Sequence, residues 1–223
     1  MGSFLDRIQQ VFSFDGPLQI GIDVGASAVK IVALRGSATG TPKLVGIAVQ
    51  ETPMGCVLDG MLSDTRTMAE VVTQALRKAG INFKEQRAIV GMRGLNVIYK
   101  RLIVPFQQPD DMARQILLDA QQQVDSDLAD WIIDYQILTS PDAQGQVAVM
   151  LVAAKRSSVQ EYHSLLTLVG VKPIIFDCDV FAIGNSLEHS VGSLRESILC
   201  LDIGRDTTKM NVIQDGVPLL VRS

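Results

Sequence analysis

Two short stretches of the chain place an aspartate, a glycine and a lysine at the same spacing. They are residues 23–30, with the sequence DVGASAVK, and residues 202–209, with the sequence DIGRDTTK. The two stretches align without a gap and lie 179 residues apart, so the sequence indicates a duplicated unit and not a tandem array. Apolar residues flank both stretches, as expected for two strands joined by a tight turn.

These residue types suit the binding of a phosphate group. A glycine just after a buried strand lets a ligand approach the backbone, and the N–H groups of such a turn form a concave site for phosphate oxygens. An aspartate at the end of the strand is placed to hold Mg²⁺, directly or through water. Two such hairpins facing each other would hold the phosphates of a nucleotide from both sides. The alternative is two ordinary hairpins with glycine turns and no ligand.

Composition and missing motifs exclude several other classes of protein. The formal net charge of −4 argues against a nucleic-acid-binding protein that relies on a basic surface. Neither a P-loop, nor a G-x-G-x-x-G dinucleotide fingerprint, nor a G-x-S-x-G nucleophile motif occurs. No stretch reaches the roughly 18 apolar residues of a spanning helix, and the N-terminus lacks the features of a signal peptide. We therefore expect a cytoplasmic protein.

The hydrophobic periodicity of the first half predicts a mixed sheet with one covering helix. Residues 18–23, 28–35 and 43–51 are expected to form a meander of strands at the edge of that sheet. A helix follows, capped at Ser63 or Asp64 and ended by Gly80, and residues 87–92 return as a buried strand. Residues 3–14 place apolar side chains on one helical face, which predicts docking onto the domain or a partner.

A separate module is predicted next, with the order strand, helix, strand, strand. Its elements are residues 95–104, 109–124, 132–138 and 147–154. Trp131 is expected in the core of this module, in preference to a role as an anchor for a partner. A helix over residues 157–169, a strand over 172–177 and a helix over 180–188 then lead to the second hairpin.

The paired hairpins resemble the phosphate-binding hairpins of the actin-like ATPase superfamily, which includes actin, Hsp70, sugar kinases and FtsA. Residues 95–105, 133–138 and 149–155 look like the inserted module of the PilM family of type IV pilus assembly. Residues 170–182 and 201–216 are similar to that family's link into the second half. The resemblance implies an α/β, actin-like (ribonuclease H-like) fold, with mixed sheets flanked by helices and an inserted strand-helix-strand-strand module.

The resemblance also predicts how the chain is divided. Residues 1–17 form an N-terminal amphipathic segment, and residues 18–94 form the first half of the actin-like domain with the first phosphate hairpin. Residues 95–155 form the inserted module, and residues 156–196 return to the first half. Residues 197–223 begin the second half with the second hairpin and are expected to be truncated. The family's adenosine-binding part would follow them, so the sequence is expected to be either a fragment or a shortened relative.

By the same resemblance, ATP and Mg²⁺ are the expected cofactors. The predicted nucleotide contacts are Asp23, Gly25, Ala26, Ser27, Lys30, Asp202, Gly204, Thr207 and Thr208. Within this set, the carboxylates of Asp23 and Asp202 are expected to hold the metal. Asp179 stands where the superfamily has a catalytic acid that positions magnesium and water. The alternative role for Asp179 is the N-cap of a helix.

Two departures from the superfamily pattern bear on hydrolysis. Ala26 replaces a serine or threonine, so a hydroxyl group near the phosphates is lost. Arg205 and Asp206 replace small or hydroxyl residues, and the Asp206 carboxylate would repel phosphate. We expect ATP binding with weak or absent hydrolysis.

The implied function is that of a nucleotide-binding scaffold at the cytoplasmic face of the inner membrane, within the type IV pilus platform. The expected partner is the cytoplasmic N-terminal peptide of PilN, bound beside the inserted module, together with other platform proteins that hold the scaffold at the membrane. The alternatives are a small-molecule kinase of the same superfamily and a membrane-tethered filament protein similar to FtsA. Without the rest of the family's second half, part of the second sheet's apolar face would be uncovered, which predicts self-association.

Overall fold

A computed structural model describes residues 18–36, 42–93, 97–124, 126–192, 197–214 and 217–222. The first elements are β1 (Gln19–Val24), β2 (Ala28–Arg35), β3 (Lys43–Glu51), β4 (Val57–Leu58), β5 (Met61–Leu62), α1 (Thr65–Lys78) and β6 (Arg87–Met92). The next are β7 (Val97–Pro105), α2 (Pro109–Gln121), β8 (Trp131–Ile137) and β9 (Gln146–Lys155). The last are α3 (Arg156–Val169), β10 (Lys172–Cys178), α4 (Asp179–Val191), β11 (Ile198–Ile203), β12 (Thr208–Gln214) and β13 (Val217–Arg222). The helix predicted over residues 3–14 lies outside the described residues.

The first sheet has five strands in the order β10-β6-β1-β2-β3. Strands β1, β2 and β3 form an antiparallel meander at one edge, and β6 and β10 run parallel to β1. This is the mixed sheet that the sequence predicted. Alternate residues of β1, Ile20, Ile22 and Val24, point into a core shared with α1 and α3.

Helix α1 begins where the sequence placed its cap. The Asp64 carboxylate accepts a hydrogen bond from the Thr67 N–H at 3.0 Å, so Asp64 and not Ser63 is the N-cap. Met68, Val72 and Leu76 recur at helical spacing and are fully buried against the sheet. The helix thus closes one face of the first hairpin's sheet.

The inserted module is a three-stranded antiparallel sheet in the order β7-β9-β8, covered on one face by α2. Met112, Ile116 and Ala120 of α2 form a core of their own with β9. Trp131 is buried, and its indole N–H donates to the Ser126 hydroxyl at 3.0 Å. Trp131 is therefore buried, although it is not part of the core cluster that α2 forms with β9.

The module is joined closely to the first domain half. Tyr99 and Val152, on the sheet face opposite α2, pack against the core beneath the first sheet. Strand β9 ends at Lys155 and α3 begins at Arg156, so no residue separates the module from the helix. The α3 residue Tyr162 is buried, and its hydroxyl donates to the Gly60 carbonyl at 3.0 Å.

The second sheet, β11-β12-β13, is antiparallel and carries the second hairpin. One of its faces meets α4, where Ile213 is fully buried. The opposite face exposes Leu199, Leu201 and Ile203, which are 57%, 56% and 77% accessible. Among the described helices, none combines the length and the apolar character needed to cross a membrane.

Candidate functional site at the paired hairpins

The two hairpins repeat the same backbone geometry. Each aspartate stands directly across the ladder from its lysine, Asp23 from Lys30 and Asp202 from Lys209. The Gly25 N–H donates to the Ala28 carbonyl at 3.1 Å, and 179 residues later the Gly204 N–H donates to the Thr207 carbonyl at 3.0 Å. The duplication seen in the sequence is therefore a duplication of the turn itself.

Both turns need glycine for steric reasons. A Cβ atom on Gly25 would lie 2.9 Å from the Ala28 carbonyl oxygen, and one on Gly204 would lie 2.8 Å from the Thr207 carbonyl oxygen. Contacts that short force the turn to open. Ser27, Thr207 and the neighbouring Thr208 are exposed around these turns, where a ligand has access to them.

The two turns lie within reach of each other. The guanidinium of Arg205, in the second turn, donates from Nη1 to the Ala26 carbonyl in the first turn at 3.2 Å. The Nε atom of Arg205 lies 3.7 Å from the Asp206 carboxylate. The negative charge that we expected to repel phosphate thus has a cation beside it.

Thr52, which the sequence analysis did not single out, fixes the first turn. Its hydroxyl donates to the Gly25 carbonyl at 2.8 Å, and its backbone N–H donates to the Ser27 carbonyl at 3.0 Å. Both carbonyls are therefore held from the β3 side. Thr52 follows the last residue of β3, so it reaches the first turn only through the register of β2 with β3. The residues next to Thr52 in the sequence give no indication of this role.

Asp23 is engaged on both carboxylate oxygens. Lys30 Nζ lies 3.0 Å from Oδ2, and Arg93 Nη2 binds Oδ1. Arg93 directly follows β6, whose parallel pairing with β1 brings it beside Asp23. Burial opposes the charge on Arg93, but the carboxylates of Asp23 and Asp179 outweigh it and raise the Arg93 pKa above its ordinary value.

Asp179 is the first residue of α4, and Cys178 occupies the N-cap position. The N-cap interpretation of Asp179 is therefore wrong. Instead its Oδ2 atom binds Lys209 Nζ in an ion pair whose side chains are each 9% exposed. The other oxygen, Oδ1, is buried and has no hydrogen-bond partner among the described residues.

Two of the three carboxylates that the resemblance places near Mg²⁺ already bind cations, whereas no ion pair of Asp202 is seen among the described residues. Both oxygens of Asp23 are occupied by cations, and Asp179 is held by Lys209. Within the described residues no three His, Cys, Asp or Glu side chains cluster as a metal site. The glycine turns and the exposed lysine and arginine beside them suit an anion such as a phosphate group. The metal roles of Asp23 and Asp202 remain predictions.

A buried polar cluster lies behind Asp179, where the inserted module meets α4. The Tyr99 ring packs edge-on against Phe181, with 5.7 Å between ring centroids. Burial raises the pKa of the Asp177 carboxyl to about 6, against the opposing effect of the Cys178 N–H bonded to it. Burial likewise raises the pKa of the Cys178 thiol to about 12.

The protein has two sheets flanked by helices. Each sheet carries a hairpin with a glycine turn, and the two turns contact each other. This arrangement defines an actin-like fold. A family model described as type IV pilus assembly protein PilM matches residues 21–223, and the chain belongs to this family. The fold expected from the sequence and the PilM resemblance are both confirmed.

Solved structures agree with this assignment. A chain of a PilM–PilN type IV pilus biogenesis complex is 27% identical, with a TM-score of 0.81 over 92% of this chain and 60% of that one. Our chain thus spans 60% of the length of that relative.

Two more distant structures share the fold alone. The cytoplasmic domain of EpsL, an inner-membrane component of the Vibrio cholerae type II secretion system, is 11% identical over 89% of this chain and 68% of that one, with a TM-score of 0.54. The ethanolamine utilization protein EutJ from Carboxydothermus hydrogenoformans is 12% identical over 96% of this chain and 54% of that one, with a TM-score of 0.50.

Proposed function

We propose that this protein is a cytoplasmic scaffold of the type IV pilus inner-membrane platform and that it binds the N-terminal peptide of PilN. The observation that carries the proposal is the similarity to a chain of a PilM–PilN complex, at 27% identity over 92% of this chain. Binding to PilN and to other platform proteins would hold the scaffold at the inner face of the inner membrane.

The face of the inserted module that lies away from α2 is partly exposed and suits a peptide. Residues directly opposite in an antiparallel ladder share a face, so Ile103 and its partner Ala148 lie on the face away from α2. Ile132 lies on the same face at the other edge of the sheet. Ile103 and Ile132 are 58% and 37% exposed, next to the part of this face that packs on the first core. A short apolar peptide would bury them in the corner between module and domain.

A nucleotide is the second ligand that we propose. The phosphates of ATP would lie between the two glycine turns, against Lys30 and the exposed threonines of the second turn. Slow or absent hydrolysis is expected, because Ala26 has no hydroxyl group and the Asp179 carboxylate is tied to Lys209. The nucleotide would then favour one arrangement of the two hairpins and so bias peptide binding.

Fluorescence anisotropy with a labelled PilN N-terminal peptide tests the scaffold proposal. Ile103→Glu should weaken binding at least tenfold, because a charge on this face would have to be buried without a partner. The matched control is Leu118→Glu, which changes a 65% exposed leucine of α2 and should leave binding unchanged. No binding by the folded wild-type chain at high micromolar concentration, or equal losses in both variants, would contradict the proposal.

A further inference from the structure

Strands β2 and β3 of the first sheet expose an apolar patch. Its four members, which we call the β2–β3 patch, are Val32, Leu44, Ile47 and Val49, and they are 38%, 54%, 63% and 52% exposed. Val32 stands directly across the ladder from Ile47. The next pair along, Ile31 and Ala48, is buried in the core beneath α1. Because successive side chains of a strand point to opposite faces, the patch lies on the face away from α1.

The other described elements leave the patch uncovered. Helix α1 packs against β2 and β3 from the opposite face, and α4 packs at the far side of the sheet, against β6 and β10. Packed helices lie 8–10 Å apart, whereas neighbouring strands lie about 4.8 Å apart, so one helix covers roughly two strands. The patch therefore has the width of a single helix.

The segment before β1 has the composition of such a helix. Its large apolar residues share one helical face, and they are Phe4, Leu5, Ile8, Val11 and Phe12. Twelve residues of helix, 3–14, would be about 18 Å long. The patch runs for five residue steps from Leu44 to Val49, which is about 17 Å of strand. The length of the predicted helix thus matches the length of the patch.

The chain enters the sheet at the right place. Strand β1 begins at Gln19, which stands opposite Leu34, and Leu34 in turn stands opposite Leu44. The sequence Asp-Gly-Pro at residues 15–17 is typical of a turn that reverses the chain. Residues 15–18 can span up to about 14 Å, and the middle of β2 and β3 lies about 7 Å to the side of β1. The segment can therefore reach back over the patch.

We propose that residues 3–14 form a helix whose apolar face docks on the β2–β3 patch of the same chain. Phe12, Ile8 and Phe4, one turn apart, would lie in this order from the Leu44 end of the patch to its Val49 end. The helix then belongs to the first half of the domain and holds β2, the second strand of the first hairpin, from its outer side. This inference depends neither on peptide binding nor on nucleotide binding.

Cysteine cross-linking within the full chain tests the contact. The partly exposed native cysteines are first changed by Cys56→Ser and Cys200→Ser. Ile8→Cys is then combined with Ile47→Cys and treated with dibromobimane, which joins two neighbouring thiols and fluoresces strongly once both have reacted. The matched control combines Gln10→Cys with the same Ile47→Cys. Because residues two apart on a helix do not share a face, we expect the Ile8 pair to cross-link about tenfold faster.

Limited proteolysis gives an independent measurement without cysteines. Arg7 is the one trypsin site within residues 1–17, and a docked helix must open before it is cleaved there. Ile47→Glu should raise the rate of cleavage at Arg7 by about tenfold, because docking would bury its charge without a partner. The control Leu118→Glu changes a 65% exposed leucine of α2 and should leave the rate unchanged. Mass spectrometry identifies the fragment, and circular dichroism shows that each variant is folded.

Each result decides the inference. Fast cross-linking of the Ile8 pair within one chain, together with protection of Arg7 that Ile47→Glu removes, supports docking. Cross-links formed between two chains overturn it and show that a second copy covers the patch. Equal rates for the Ile8 and Gln10 pairs, or cleavage at Arg7 that is as fast in the wild type as in Ile47→Glu, overturn it as well, and the segment then binds elsewhere.

Discussion

Lys209 binds the carboxylate of Asp179 inside the protein, although Asp202 stands directly across the second hairpin from it. In the first hairpin the equivalent lysine, Lys30, stays on its own hairpin and pairs with Asp23. The two copies of one sequence pattern therefore use their lysines differently. In the second copy the lysine instead joins β12 to the start of α4.

Lys209→Met should destabilise the protein by about 3–5 kcal/mol, because it leaves the buried Asp179 charge without its partner. Adding Asp179→Leu should restore most of the loss, since two apolar residues can replace a buried pair. Lys30→Met is the control and should cost less than about 1 kcal/mol, because its pair is exposed. Urea unfolding measures all three, and equal losses in the two lysine variants would contradict the prediction.

Asp177→Asn should stabilise the protein at neutral pH and have little effect in acid. The Asp177 pKa is raised to about 6 in the folded protein, whereas an unfolded aspartate has a pKa of about 3.9. Between these values the folded state holds the proton more tightly, so this group's contribution to stability falls as the pH rises and stays low above pH 6. The gain in the variant should grow from near zero at pH 4 to about 2–3 kcal/mol at pH 7.5. Denaturant titrations of both proteins at each pH measure it, and a gain that does not depend on pH would refute it.

Gly60→Ala should be far more costly than Gly145→Ala. Both glycines have positive φ, at +80° and +72°, but a Cβ on Gly60 would lie 2.5 Å from the Arg93 carbonyl oxygen and one on Gly145 would touch nothing within 4 Å. The left-handed conformation alone costs about 1–2 kcal/mol, and the clash should add about 1–3 kcal/mol at Gly60. Thermal melting compares the two variants. Similar losses would show that the loop at Gly60 moves aside freely.

The protein should self-associate through the outer face of β11, as the sequence predicted. Leu199, Leu201 and Ile203 are exposed side by side on an edge strand whose backbone can also pair with another copy. Light scattering after size exclusion should show mass rising with concentration. Leu201→Lys should suppress the rise, and Leu118→Lys on α2 should not. A monomer at every concentration tested would rule out this interface.

The sequence predicted the parts of the site that lie within one hairpin. Asp23, Gly25 and Lys30 fall within eight residues, and the order of strand, turn and strand determines their relation. Thr52 and Arg93 escaped prediction because each follows a different strand and reaches the first hairpin only through sheet pairing. The partner of Lys209 was missed for the same reason. When strands that are distant in the sequence pair with each other, the residues around either partner show no pattern that would predict the contact.

Strand β9 passes into α3 without a linker, so the inserted module is connected directly to that helix. From α3 the Tyr162 hydroxyl binds the Gly60 carbonyl, and Gly60 packs so closely on the backbone of Arg93, the partner of Asp23, that it has no room for a Cβ atom. These contacts form a continuous path from the module to the first hairpin. Any coupling along this path between a ligand on the module and one at the hairpins would be reciprocal, so that each ligand would change the affinity for the other by the same factor.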